Sequence, residues 1–232
     1  MGARALISRL LARTSAKRRR ELGGARVVFD HLRPELPRGG RILEIGPKHG
    51  LDTRLLATLE PRELVTVDLP EKAGEIASWL PEVPAARHVE ANVLYLSEQE
   101  RAELGRFDLV WCLGVLYHNV EQLRLLRRLY ELTAESGLVV VESATTRSRI
   151  LAGRNVVELH WPETYRGVPT ITHLPTRRAI AAWLEMAGFA DVRIRDVYSR
   201  SLRWQRAVLT GRRDSGCSAY AGYGLYVAGT AD

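Results

Sequence analysis

One stretch near the start of the chain, residues 41–50, constrains the fold more than any other. It reads Arg-Ile-Leu-Glu-Ile-Gly-Pro-Lys-His-Gly, an apolar strand that runs into a turn marked by glycines, and helix-like residues follow it. The next strand-like run ends in Asp68, 22 positions after Gly46. This spacing is typical of a nucleoside site at the first turn of a doubly wound sheet, where a carboxylate binds the ribose hydroxyls. We therefore expect an α/β fold with a nucleoside site at this turn.

The rest of the chain alternates between strand-like and helix-like segments. Buried strands are predicted at 41–45, 64–68, 87–91, 108–113 and 138–142, and helices at about 51–59, 71–80, 98–104 and 120–135. This order predicts five parallel strands joined by crossover helices. The pattern then predicts a helix from Pro175-Thr176 to Gly188 and strands at 192–197 and 224–228. Residues 200–222 have no apolar period and are predicted to be irregular.

The net charge of +7 lies entirely in the first 40 residues, which hold ten lysines and arginines against three acidic residues. We therefore divide the chain into a basic N-terminal helical arm, residues 1–36, and one domain, residues 37–232. The arm is compatible with contact to a membrane surface, to nucleic acid or to the active site, and also with an amphipathic helix packed on the domain. Because the body is neutral, nucleic acid is a possible partner but not the favoured one.

Cysteine content and hydropathy set the expected compartment. Cys112 and Cys217 lie far apart without the spacing of metal ligands, so no metal site is predicted. No signal-peptide pattern follows the basic start, and no apolar run approaches the roughly 20 residues of a membrane-spanning helix. A cytoplasmic protein without a membrane span is expected.

The glycine turn distinguishes between two kinds of nucleoside site. A dinucleotide enzyme requires glycine where this chain has Lys48 and Leu51. The turn instead resembles the first motif of class I S-adenosylmethionine (SAM) methyltransferases, Glu-x-Gly-x-Gly-x-Gly, with Lys48 in place of the middle glycine. The resemblance implies a SAM cofactor, with Glu44 ordering the turn or reaching the cofactor's amino group and Asp68 binding its ribose. Lys48 either pairs with the cofactor's carboxylate or points into water.

A second motif, residues 107–118, is similar to the fourth motif of small SAM methyltransferases, in particular the branch of the bacterial tRNA wobble-uridine carboxymethyltransferases. The similarity covers residues of about 100 to 197. It implies a Rossmann-like seven-stranded sheet of order 3-2-1-4-5-7-6, with an antiparallel last strand and helices on both faces. Two departures argue against the tRNA branch: only some 40 residues precede the first strand, and the body is neutral. A carboxy-SAM enzyme also needs an extra cation, for which Arg166, Arg177 and Arg206 are the candidates.

The predicted site residues follow the carboxyl ends of the strands, where ligands of open α/β sheets bind. The predicted cofactor ligands are Glu44, Gly46, Pro47, Lys48, Gly50, Asp68, Leu69, Asn92, Val93, Leu113 and Tyr117. Methyl transfer depends chiefly on alignment, but a hydroxyl acceptor also needs a proton acceptor. The predicted catalytic residues are His118, Glu142, Tyr165 and His173, with His118 preferred as the base and His160 a further candidate. Residues 160–166 are predicted to be an aromatic-rich loop beside the acceptor.

The function expected from these features is transfer of a methyl group from SAM to an oxygen or nitrogen of a small organic or sugar-like acceptor. Two alternatives stay open. One is tRNA wobble-uridine modification with SAM or carboxy-SAM, and the other is a non-enzymatic interaction protein with this fold. The acceptor and the oligomeric state, with a homodimer among the options, are not determined by the sequence.

Overall fold

The computed structural model describes residues 24–198 and 205–216, and they form nine strands and six helices. The strands are β1 Arg41–Ile45, β2 Glu63–Asp68, β3 Ala86–Glu90, β4 Phe107–Leu113, β5 Thr133–Ala144, β6 Val157–His160, β7 Thr172–Pro175, β8 Phe189–Arg195 and β9 Arg206–Arg213. The helices are α1 (24–32), α2 Leu51–Ala57, α3 Ala73–Ala77, α4 Glu98–Leu104, α5 Gln122–Leu132 and α6 Arg177–Ala187.

Seven strands form one sheet in the order β3-β2-β1-β4-β5-β9-β8. The pairs within β3-β2-β1-β4-β5 are parallel, and β9 runs antiparallel to both β5 and β8. The predicted order, with one antiparallel strand, is therefore confirmed, although β9 and not residues 224–228 is the strand observed at that position. Since β1 and β4 are central neighbours, their carboxyl ends lie side by side at one edge of the sheet.

Strand β9 corrects the prediction that residues 200–222 are irregular. Its middle residues Ala207, Val208, Leu209 and Thr210 are all buried, because the strand lies between two others and is covered on both faces. This apolar run is short and has arginines on both sides, so the pattern of apolar residues did not predict a strand here. The predicted strand at 224–228 lies outside the described residues.

Two apolar layers cover the faces of the sheet. On one face α5 and α6 contribute residues such as Leu126 and Leu184. On the other face α1, α2 and α3 pack through residues such as Phe29, Leu56 and Ile76. The expected placement of helices on both faces is confirmed. Residues 24–36 contribute to this second layer, and residues 1–23 of the predicted arm lie outside the described range.

Local signals set the helix ends. Ser97 caps α4, accepting a hydrogen bond from the Glu100 amide while the Glu100 side chain accepts one from the Ser97 amide. Thr176 caps α6, and Gly188 ends it with φ of 107°. The helix predicted at 71–80 is shorter, because α3 covers five residues between 3₁₀ turns at Pro70–Lys72 and Leu80–Glu82.

A separate two-stranded antiparallel sheet, β6–β7, follows β5. Leu174 on β7 packs with Ala144 and Tyr165, whereas Val157 and Leu159 on β6 are exposed. The small sheet therefore covers the carboxyl end of β5 with one face and presents the other to solvent. The sequence predicted only a loop at residues 160–166, and the two strands were missed because each has four residues.

Candidate functional site

The turn after β1 requires both of its glycines. Gly46 and Gly50 have φ of 74° and 68°, in the left-handed region. A Cβ at Gly46 would lie 2.6 Å from Val115 Cγ2, and one at Gly50 would lie 2.4 Å from the ring of Trp79. The Trp79 Nε1–H donates to the Lys48 carbonyl over 2.8 Å and braces the turn. The two glycines therefore allow Val115 and Trp79 to pack directly against the backbone of the turn.

Beneath this turn lies Glu44, a buried carboxylate that is 2% exposed. Burial raises its pKa well above the usual value, and the negative charges of Asp52 and Asp68 raise it further. Its Oε2 has no hydrogen-bond partner among the described residues. A buried polar atom without a partner is rare and points to a missing donor, so Glu44 fits a ligand that brings an ammonium group or a bound water.

A second carboxylate, Asp52, comes from the first turn of α2 and was not predicted. Its Oδ2 accepts a hydrogen bond from the Trp111 Nε1–H on β4 over 2.8 Å. Loss of hydration raises the pKa of Asp52 to about 6; the Trp111 bond opposes the shift, and the charge of Glu142 adds to it. The signal in the sequence was an acidic residue two positions after the second glycine of the turn.

The end of β2 carries Asp68, the residue predicted to bind a ribose. Its Oδ1 accepts from the Leu69 amide over 2.8 Å, and burial raises its pKa. At the end of β3 the Asn92 Oδ1 accepts from the Leu94 amide over 3.1 Å and caps a turn over Val93–Tyr95. The structure thus places these side chains at successive strand ends, as expected from the topology.

The loop after β4 brings aromatic side chains to the same edge. The rings of Tyr117 and His118 lie 4.0 Å apart, and Tyr117 meets Tyr165 edge-on at 6.3 Å. His118 keeps part of its surface exposed. Partial loss of hydration lowers its pKa, as do the positive charges of Arg206 and Lys48, so the imidazole is neutral at pH 7 and can accept a proton.

Glu142, near the end of β5, forms a buried ion pair with Arg206. Arg206 on β9 donates to both of its oxygens, with the Nη2–Oε2 distance at 2.5 Å, and the Tyr198 hydroxyl donates over 3.2 Å. The Arg206 guanidinium also lies 5.7 Å from the centre of the Tyr117 ring. Glu142 therefore holds Arg206 beside the aromatic cluster.

The remaining predicted residues divide between the two faces of the small sheet. Tyr165 is buried against Ala144 and Leu174, and its ring lies 5.5 Å from that of His160. His173 pairs with Leu159 across the sheet, on the strand position next to Leu174, so its side chain points to the opposite face. The structure brings together His118, Tyr165 and, through Arg206, Glu142. It does not bring His173 to them.

The combined arrangement favours a cationic nucleoside. Four carboxyl groups, on Glu44, Asp52, Asp68 and Glu142, lie at one edge of the sheet. Arg206 pairs with Glu142, whereas the pKa of each of the other three is raised. No group of side chains in residues 24–198 and 205–216 has the geometry of a metal site. A ligand with a sulfonium and an ammonium favours the charged forms of these carboxyl groups, and the ribose of such a ligand matches a carboxylate at the end of β2.

This sheet order, with ligand groups at the glycine turn and the next two strand ends, defines the Rossmann-like SAM-dependent methyltransferase fold. A family model described as a methyltransferase domain matches residues 6–194. The chain belongs to this family. It is therefore an enzyme with S-adenosylmethionine as its cofactor, and the non-enzymatic alternative is wrong.

Curated relatives match about half of this chain. The tRNA U34 carboxymethyltransferase of Psychromonas ingrahamii is 33% identical over 124 residues, which are 51% of this chain and 36% of the relative. The enzyme of the same name from Vibrio vulnificus is 32% identical over 116 residues, covering 50% and 34%. The match thus spans about a third of the length of these relatives. The predicted resemblance to their branch is confirmed to that extent.

Solved structures share the fold. The N-terminal domain of EvdMO1 with S-adenosylhomocysteine (SAH) bound has a TM-score of 0.61 at 24% identity, over 83% of this chain and 81% of that one. The 1,6-didemethyltoxoflavin-N1-methyltransferase of Burkholderia thailandensis, with 1,6-didemethyltoxoflavin and SAH bound, has a TM-score of 0.57 at 21% identity, over 82% of this chain and 76% of that one. Within the described residues, no helix has the length and apolar character that crossing a bilayer requires.

Proposed function

We propose that this enzyme transfers a methyl group from SAM to an oxygen or nitrogen of a small organic or sugar-like acceptor in the cytoplasm. The observation that carries the proposal is the aromatic wall beside the glycine turn. It consists of Tyr117, His118 and Tyr165 under the β6–β7 sheet, at the edge where the cofactor residues meet. Such a roofed aromatic wall suits a small acceptor that must be held in line with the sulfonium methyl.

The cofactor assignments in this proposal follow the site geometry. Glu44 receives the cofactor's ammonium directly or through water, and Asp68 receives the ribose hydroxyls. The backbone of the glycine turn approaches the ligand closely at Gly46 and Gly50. Pro47, Lys48, Leu69, Asn92, Val93, Leu113 and Tyr117 complete the proposed cofactor contacts. SAM supplies the activated methyl group when it is bound.

His118 is the proposed proton acceptor. Its imidazole lies in the loop above β4, and partial loss of hydration, together with the nearby cations Arg206 and Lys48, keeps its pKa below the usual value. We expect a plot of kcat/KM against pH to fall on the acid side with an apparent pKa below that of free histidine, about 6.5. Tyr165 is proposed to orient the acceptor, and Glu142 to act through Arg206. His173 faces away from this wall and has no role in the proposal.

The test combines calorimetry with an acceptor screen. SAM and SAH should bind the purified enzyme, and labelled SAM identifies acceptors among small hydroxyl and amino compounds. Once an acceptor is found, His118→Ala should lower kcat and abolish the acid limb while leaving SAM binding intact. His31→Ala, an exposed histidine on α1, is the matched control. An unchanged pH profile in His118→Ala would remove His118 as the base.

A second candidate function, modification of a tRNA wobble uridine, rests on the tRNA U34 carboxymethyltransferases that match half of the chain. If it is correct, RNA affinity should fall steeply with salt, and deletion of residues 1–20 should abolish it. The carboxy-SAM form of this candidate needs a cation for the extra carboxylate. Arg206 is paired with Glu142, and Arg166 donates to Gln205 over 2.7 Å. Tighter binding of carboxy-SAM than of SAM would favour this candidate.

A further inference from the structure

The outer face of β6 and the loop before it form an exposed apolar surface that the proposed chemistry does not use. Four large apolar side chains lie on it: Ile150, Val157, Leu159 and Trp161, with exposed fractions of 86%, 42%, 55% and 65%. Val157, Leu159 and Trp161 occupy alternate positions in the sequence, so their side chains point to the same side of β6 and its continuation. We call these four residues, together with Arg147, Arg154 and Arg178, the docking face.

Exposed arginines lie on the loop before β6 and at the start of α6. Arg147, Arg154 and Arg178 are exposed, and Arg178 donates to the Gly153 carbonyl over 3.0 Å, which ties the loop to the start of α6. The Thr176 hydroxyl donates to the Arg154 carbonyl over 2.6 Å and fixes the loop from the same side. Residues 145–178 contain six arginines and two glutamates, whereas acidic residues outnumber basic ones in the rest of residues 41–232. The segment that carries the docking face is therefore net basic, whereas the rest of residues 41–232 is net acidic.

This charge decides between possible occupants. Residues 1–23 carry seven basic groups and one acidic group, so they would be repelled by the docking face. A second copy of the chain would place the same basic surface against itself. The occupant is therefore anionic. RNA binds through phosphate contacts and stacking of bases on aromatic rings, and three of the four apolar side chains here are aliphatic. Aliphatic groups and a tryptophan flanked by arginines instead match the interface of an anionic lipid bilayer.

We propose that the docking face attaches this enzyme peripherally to a membrane surface that contains anionic lipid. Ile150 and Trp161 enter the headgroup region, and the arginines contact lipid phosphates. The opposite face of the β6–β7 sheet covers the acceptor wall, so attachment places that wall next to the bilayer. The inference goes beyond the proposed function and does not depend on which acceptor is methylated.

The test is co-sedimentation of the full chain with vesicles of phosphatidylcholine alone or with about one third phosphatidylglycerol. We expect binding to the anionic vesicles that weakens with salt, and little binding to the neutral ones. Ile150→Ser with Trp161→Ser should lower the partition coefficient at least about tenfold, because two apolar side chains no longer leave water on binding. Arg147→Gln with Arg154→Gln should lower it and flatten its salt dependence.

The control is Ile194→Ser, which replaces an exposed isoleucine on β8 and should leave vesicle binding unchanged. Because all substituted side chains are exposed, the variants should fold like the wild type, and thermal melting checks this. A single variant replaces any double variant whose melting temperature is lowered. Wild-type binding by the Ile150/Trp161 variant would overturn the proposal and assign any membrane affinity to residues 1–23. Loss of RNA binding or of a dimer in that variant, with vesicle binding intact, would overturn it as well.

Discussion

Replacing Glu142 with Gln tests the most deeply buried ion pair of the site. Glu142 is 2% exposed, and the side chain of its partner Arg206 is 30% exposed. The change keeps the shape but removes the charge that compensates a largely desolvated guanidinium. Breaking a fully buried pair from one side costs about 3–5 kcal/mol, and an exposed pair contributes about 0–1 kcal/mol. Because Arg206 keeps some contact with water, we expect a loss of about 2–3 kcal/mol in the free energy of unfolding.

Urea denaturation and thermal melting measure this loss. For a chain of this size about 1 kcal/mol corresponds to about 2–4 °C, so the melting temperature should fall by about 4–12 °C. Asp30→Asn is the control, since Asp30 forms an exposed helix pair with Arg26 and its loss should cost less than about 0.5 kcal/mol. Arg206→Gln combined with Glu142→Gln should cost less than the two single losses added together, with a coupling of at least about 1 kcal/mol.

A Glu142→Gln variant no less stable than Asp30→Asn would refute this reasoning. So would a double variant whose loss equals the sum of the single losses, since the two side chains would then not interact. Either result would mean that water screens this pair as it screens a surface pair. Glu142 would then be free to contact the acceptor.

Three further changes test the rest of the site. Asp52→Asn removes a carboxyl group whose pKa is raised to about 6. Because the folded state binds this proton more tightly than the unfolded state, the free energy of unfolding of the wild type should rise through this group as pH falls from 7 to 5. Urea titrations at both pH values should show that the variant lacks this gain. Gly50→Ala should abolish SAM binding in calorimetry or prevent folding, because the new methyl group would collide with Trp79; normal affinity would show that the turn can relax. Thr176→Ala should cost about 1 kcal/mol by loss of the α6 cap, measured by denaturation, and an unchanged stability would mean that water replaces the cap.

Short-range patterns determined most of the fold. β1 was predicted with its observed bounds, because five apolar-rich residues lead directly into a glycine turn. α4 was likewise predicted at 98–104, and the capping box that starts it lies within four residues. The sequence correctly predicted that Asp68 ends its strand. The spacing between Gly46 and Asp68 depends only on the length of one helix and the strand that follows it. These features rest on propensities that neighbouring residues decide.

Contacts between distant segments could not be predicted in the same way. Arg206 reaches Glu142 across 64 residues, and Trp111 reaches Asp52 across 59. Both pairs depend on which strands become neighbours, and β9 itself was missed because its burial comes from strands on either side rather than from its own pattern. The same holds for β6–β7, whose four-residue strands are too short to show a period.

The sequence by itself thus determined the class of fold, the cofactor turn and the identity of the carboxylates that end its strands. Only the tertiary structure decided which side of β7 carries His173, that Glu142 is paired with Arg206, and that β6 and the loop before it expose apolar side chains. The physical reason is that helix caps, glycine turns and apolar periods are fixed by neighbours in the chain. Burial and charge pairing at this site are fixed by neighbours in space.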